Sequence, residues 1–390
     1  MMKKNIAIIL ILAAIIGTSL YAKSEKRVKN IENTKSEIKS KNEEKEIIPV
    51  LIPVRRNGMW GFSDTNGKIV IEAKYREVYS FKSGYAVVKD FNEEKMAGKY
   101  GVINYKGESV VKADYDFIRE LKENIFIVKQ GEKYGAVNIN GKTIINTVMD
   151  EMGDFSEKVA YFKLEGKYGY IGADGKIKIK PMYDKAFNFS NGAARVVIGE
   201  SIRYIDLEGK FTSEKQFKEG RDFKDGVAAV KEDNKYGYID KRGKYVVEPI
   251  YENGFDFSEG YGAVKKDGKY GFVNLKGEET VKAEYDFVTS FKEGKAVVEK
   301  QKKSSYIGTD GKRSFEEEYD EASPFSSGAA RVKLNGKYGY INRDGKKITE
   351  IKYSQASDFE DGFAKVTEDN KVLIIDINGK EYKIDGAELS

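Results

Sequence analysis

Four aspartates return in register behind a tyrosine, at Tyr115-Asp116, Tyr183-Asp184, Tyr285-Asp286 and Tyr319-Asp320. A pair of such carboxylates could serve as general acid and general base in glycoside hydrolysis. A catalytic site needs only one pair, whereas these four multiply in step with a repeat. Asp116, Asp184, Asp286 and Asp320 are therefore expected to pair with turn lysines or to cap a crossover. The acidic run Glu316-Glu317-Glu318 could attract calcium, but it lacks the spaced Asp/Asn ligands and sharp glycine turn of a dedicated loop. It reads as a solvated face. GKYG is no phosphate loop either, because no glycine-lysine-serine/threonine pattern opens a helix. Cysteine and histidine are both absent, which removes disulfides, thiolate nucleophiles, Cys/His zinc sites and imidazole bases. No catalytic residue, cofactor or metal is expected, and the chain reads as a non-enzyme.

The elements that would position such residues repeat. The stretch GKYGYIGADGK from Gly166 returns as NKYGYIDKRGK from Asn234 and GKYGYINRDGK from Gly336. Its aromatic-glycine pair stands at Trp60-Gly61, Tyr100-Gly101, Tyr134-Gly135, Tyr168-Gly169, Tyr236-Gly237, Tyr270-Gly271 and Tyr338-Gly339. Three further units keep the frame without the glycine, read as Tyr204-Ile205, Tyr306-Ile307 and Leu373-Ile374. That makes about ten units of roughly 34 residues, with one hairpin lengthened by an insertion over 91–97. VKADYDF at Val111 matches VKAEYDF at Val281, and FSNGAARV at Phe189 matches FSSGAARV at Phe325, so whole units were duplicated.

Each unit carries β signals. Asp267-Gly268, Asn57-Gly58 and Asn335-Gly336 lie between extended segments, and such pairs favour two-residue hairpins. An Asx residue three before a glycine recurs at Asn104/Gly107, Asn138/Gly141, Asp206/Gly209, Asp240/Gly243, Asn274/Gly277, Asn342/Gly345 and Asp376/Gly379, which suits a type I turn closed by a left-handed glycine. A third extended piece follows, then a crossover carrying Tyr-Asp and Phe-x-x-Gly. The unit is expected to be a three-stranded antiparallel meander. Ordering one costs on the order of 50 kcal/mol and demands roughly 2000 Å² of apolar burial. The units must stack, with the glycine letting neighbours approach. An open solenoid or superhelix is expected, with propeller-like closure as the alternative, because propeller blades normally use four strands and about 40 or more residues.

The chain is 40% hydrophobic and 12% aromatic, so it has material for a core. Of its +5 formal charge, Lys3 and Lys4 give +2 and the segment 23–46 gives another +2. The near-neutral remainder argues against nucleic acid as a partner. MMKKN, an apolar run from Ile6 to Ile16 and Gly17-Thr18-Ser19 follow the plan of a secretory signal peptide. The apolar core is too short for the ~20 residues of a membrane-spanning helix, so membrane attachment would persist only if the segment stayed uncleaved. The domains read as a signal peptide (1–22), a charged disordered linker (23–46) and a repeat β domain (47–390).

The motif [W/Y]-G-[F/Y/V]-[I/V]-[N/D]-x-x-G-K resembles the WG-repeat (KWG-repeat) family of bacterial proteins, with tyrosine in place of tryptophan everywhere except Trp60. The resemblance implies an all-β repeat domain, often exported or surface-associated, and carries no catalytic residue across. The expected function is an exported, non-enzymatic scaffold in the periplasm, at the cell surface or outside the cell, binding a protein or glycan. A carboxylate-dependent envelope hydrolase and a structural spacer are the alternatives. The departures from consensus, namely Ile205 and Ile307, the basic hairpin Lys300-Gln301-Lys302-Lys303 and the insertion 91–97, are candidate binding edges.

Overall fold

The computed structural model describes residues 49–90, 98–382 and 388–389. The signal peptide, the charged linker and the insertion 91–97 lie outside the described residues. Among the described residues there is no helix, and the strands form ten small antiparallel sheets.

Local chemistry builds each sheet. At Asp267-Gly268 both residues take positive φ, 50° and 74°, which folds Tyr261–Lys266 back on Lys269–Asn274 in an unbroken ladder. After that strand the Asn274 side-chain oxygen accepts hydrogen bonds from the Lys276 and Glu278 N–H groups at 2.9 and 3.0 Å. The backbone thereby turns into Glu279–Tyr285. These three strands are the expected meander.

A further strand precedes the hairpin in every unit, and the three-stranded sheets lack the last strand instead; this corrects the three-stranded expectation. Seven of the ten sheets have four strands and three have three. The additional strand comes from the segment read as crossover, as where Phe287–Val288 pairs with Glu299 and Val298. Two residues suffice for it, so a period near 34 residues accommodates four strands.

The open solenoid is likewise corrected, in favour of the stated alternative. Ile52–Arg56, Met59–Ser63 and Ile69–Tyr75 begin the domain as a sheet without its leading strand, and Glu388–Leu389 supplies it. Val54 pairs with Leu389 and Arg55 with Glu388. The result is a closed, ten-bladed β-propeller. Blade 1 covers 77–115, blade 2 117–149, blade 3 151–183, blade 4 185–205, blade 5 219–251, blade 6 253–285, blade 7 287–308, blade 8 321–342 and blade 9 355–382; blade 10 joins 52–75 to 388–389.

The core follows this plan. It consists of ten apolar clusters, each drawn from two neighbouring blades. Tyr170, Ile179 and Tyr183 of blade 3 pack with Phe189, Val196 and Ile205 of blade 4, for example. Ile52 and Val54 of blade 10 pack with Ile374 of blade 9 across the closure.

Candidate functional site

Trp60, Tyr100, Tyr134, Tyr168, Tyr236, Tyr270 and Tyr338 all stand near the start of a third strand, opposite the last residue of the fourth strand or, in blade 8, of the corresponding segment. The glycine after each meets the fourth-strand segment of its own blade, which corrects the expectation that it lets neighbouring units approach. A Cβ on Gly61, Gly135, Gly169, Gly237 or Gly271 would lie 2.4–2.5 Å from a carbonyl oxygen in the fourth strand of its own blade, and one on Gly101 2.7 Å. In blade 8 a Cβ on Gly339 would meet Ile351 Cα at 2.8 Å. The register shifts on either side of this position, so the fourth strand bulges across the glycine. The pair is a joint within a blade.

The joint between blades lies one residue further on. Tyr170, Tyr204, Tyr238, Tyr306 and Tyr340 are at most 3% exposed. Each hydroxyl donates to a backbone carbonyl of the next blade's opening segment, at Phe187, Arg221, Phe255, Ser323 and Ser357, over 2.6–2.8 Å. Each ring packs tilted or edge-on against a phenylalanine of that blade, Phe189, Phe223, Phe257, Phe325 or Phe359, with centroids 4.8–5.1 Å apart. Burial holds these phenols protonated well above their ordinary pKa.

This geometry corrects the frame of three units. Tyr204 and Tyr306 occupy the seam position, and Ile205 and Ile307 are buried behind them; the residues at the glycine position are Arg203, Ser305 and Leu373, opposite Val196, Val298 and Val366. Blades 4 and 7 accordingly lose the long fourth strand. In blade 4 the segment 211–217 is reduced to the single bridges Ile205↔Phe211 and Ile202↔Phe217. The Arg203 guanidinium lies 3.4 Å over the Phe211 ring and donates to the Ser213 carbonyl at 3.2 Å. Blade 8 keeps Gly339 and still has three strands, so glycine permits the strand without dictating it.

The repeated aspartates behave as expected, pairing with lysines beside the signature. Asp184 takes the Lys167 ammonium at 2.5 Å and the Gly199 N–H at 2.7 Å, and Asp320 takes Lys303 at 2.8 Å and the Asn335 N–H at 2.7 Å. Asp116 binds Lys99 and the Gly131 N–H, while Asp286 binds Lys269 and the Gln301 N–H. In each case the lysine belongs to one blade and the N–H to the hairpin of the next, so the carboxylate clasps the seam. The adjacent ammonium first, and the N–H second, hold these four carboxyls below the usual range. A second series links the turns before the long hairpins. Glu123 accepts from the Glu157 and Lys158 N–H groups, Glu157 from Gly192, Asn191 from Gly226, Asp225 from Gly260, Glu259 from Glu293 and Gly294, and Glu293 from Gly328.

Of the other candidates, Glu318 pairs with Arg313 at 3.0 Å, and among the described residues no Asp/Glu group is arranged to hold a metal ion. The basic hairpin is tied down through Lys300–Glu284 and Lys303–Asp320. Large apolar side chains do stand out of the fourth strands: Val148, Met182 and Ile250, 53–61% exposed, precede the last residue in blades 2, 3 and 5.

The WG containing repeat matches the chain at 60–92, 100–134, 134–168, 168–200, 202–236, 236–270, 270–303, 305–338 and 338–371. No curated protein matches it significantly. Among solved structures it is similar to a eukaryotic initiation factor at 11% identity and a TM-score of 0.52, over 79% of this chain and 96% of that one. It also matches an extracellular domain of a hybrid two-component system from B. thetaiotaomicron, at 11% identity and a TM-score of 0.25, over 86% of this chain and 58% of that one. At such identities the likeness to the initiation factor is one of fold alone. Nine consecutive repeats across most of its length show that the chain belongs to the WG containing repeat family.

Proposed function

We propose that the protein is an exported, non-enzymatic scaffold that binds a protein or glycan in the cell envelope or outside the cell. The observation that carries this reading is the commitment of Asp116, Asp184, Asp286 and Asp320 to equivalent seam clasps. With the carboxylates engaged alike in four places, no pair is set apart as acid and base. What remains for a partner is surface, and Val148, Met182 and Ile250 offer apolar contacts at blade spacing. Export rests on the signal-peptide plan of residues 1–22.

Affinity capture from envelope extract tests the binding reading. The repeat domain should retain a partner, and Val148, Met182 and Ile250 all changed to Asp should abolish retention while the melting temperature holds. Retention by neither protein, or equal retention by both, defeats the scaffold. Turnover of an envelope polysaccharide that disappears on one Asp→Asn change with folding intact would instead establish the hydrolase. A reporter fused after residue 46 that stays in the cytoplasm would defeat export.

A further inference from the structure

Four blades carry an aspartate immediately before the seam phenylalanine: Asp154, Asp222, Asp256 and Asp358. Three are held by a guanidinium. Arg119 Nη1 meets Asp154 at 2.7 Å, Arg195 Nε meets Asp222 at 2.6 Å, and Arg331 Nε meets Asp358 at 2.9 Å. Asp256 is the exception. The position that supplies Arg195 and Arg331 is Ala229 in the blade before it. Arg221 stands where Arg119 stands, yet its guanidinium lies 5.5 Å over the Phe255 ring, and Asp256 Oδ1 is enclosed without a hydrogen-bond partner. An enclosed carboxylate oxygen left unpaired is destabilising unless something else satisfies it.

Asp256 lines a cleft of about 440 Å³ among blades 4, 5 and 6, together with Arg195, Lys218, Arg221, Asp222 and Tyr236. That volume suits a small ligand. The cleft lies beside the fourth-strand segment of blade 4, which meets the sheet only at single bridges; Lys218 follows the last of them, Ile202↔Phe217. Several of the lining charges cancel. Arg195 pairs with Asp222, and Glu219 takes both Lys231 at 2.7 Å and the Tyr236 hydroxyl at 2.5 Å. Two cations, Lys218 and Arg221, and one anion, Asp256, are left over. A plain cation would face the two basic side chains, and a plain anion would leave Asp256 unsatisfied.

We propose that this cleft binds a small anionic amino acid carrying one ammonium and two carboxylates, the ammonium at Asp256 and the carboxylates at Arg221 and Lys218. The site is independent of the scaffold reading. Calorimetric titration of the purified chain with L-glutamate and L-aspartate tests it, with glutarate and L-lysine as comparisons. At least one of the two acidic amino acids should bind one to one. Glutarate, which lacks the ammonium, and L-lysine, which has one carboxylate, should each bind roughly tenfold or more weakly. Asp256→Asn should weaken the amino acid by a similar factor while leaving the melting temperature unchanged or higher, because an enclosed charge is gone. Should that variant not fold, Arg221→Gln decides, with the same loss expected. No binding of either acidic amino acid, equal binding of glutarate, or unchanged binding by the folded variants overturns the proposal. So does an experimental structure of the free protein in which Arg221 is bonded to Asp256 as Arg119 is to Asp154.

Discussion

A hydrogen in place of a methyl group leaves room for a long fourth strand to bulge across the third. With Gly237 changed to Ala, the new Cβ would sit 2.5 Å from the Val247 carbonyl oxygen, a backbone atom that cannot swing aside. Such overpacking should lower stability by about 1–3 kcal/mol, read as a shift in urea midpoint. Tyr238→Phe tests the seam at the same scale. It removes the donor to the Phe255 and Ala263 carbonyls, at 2.8 and 3.1 Å, and should cost about 1 kcal/mol. The clasps predict a pH dependence. Asp116, Asp184, Asp286 and Asp320 have carboxyls held below their unfolded values. Above about pH 4, the unfolded aspartate pKa, their contribution is fully present. As pH falls through the lower folded values the unfolded chain takes up protons first and the contribution is lost. Changing all four to Asn should flatten the acid limb of a stability-against-pH curve. An unchanged limb would show that the clasps do not govern it.

At the scale of the element, what could be read from the chain was what is encoded locally. Asp267-Gly268 fixes a hairpin through two adjacent backbone conformations, and Asn274 fixes a turn through bonds to residues two and four away. The two-residue leading strands could not be read, because Phe287–Val288 is too short to show alternation. The seam was missed for a different reason. Tyr170 meets Phe189 in the following unit, and nothing local marks that partnership. Where the glycine is lost, the two aromatic positions look alike, so Tyr204 and Tyr306 were placed two residues out of phase. The cleft beside Asp256 was invisible for the same reason: its odd charge appears only against the guanidinium pairs at Asp154, Asp222 and Asp358. Arg203 offers a test of the element itself. Arg203→Gly should let segment 211–217 lie down as a full fourth strand, with hydrogen exchange at those amides slowing. Exchange as fast as before would mean that FTSEKQF resists pairing on its own account.

Among the described residues the ring differs from an open stack in having no exposed terminal repeat. A solenoid needs capping units, since each repeat contacts only its neighbours; here the last strand completes blade 10, which the first three strands begin, and every apolar cluster has a blade on each side. Ending the chain at Tyr382 removes Glu388–Leu389 and uncovers the edge of Ile52–Arg56. Loss of the ring should then exceed the loss of two residue pairs. A lower melting temperature and a larger radius of gyration in solution scattering are expected, and an unchanged radius would show that the seams alone hold the circle.

Leu389 pairs with Val54 and Glu388 with Arg55 in antiparallel register, so the start of Ile52–Arg56 and the end of Glu388–Leu389 lie on the same side of the shared sheet. Tension between those ends would unzip the two pairs in succession instead of shearing them together. The propeller would open at that latch under modest force, and its blades would then pay out in order.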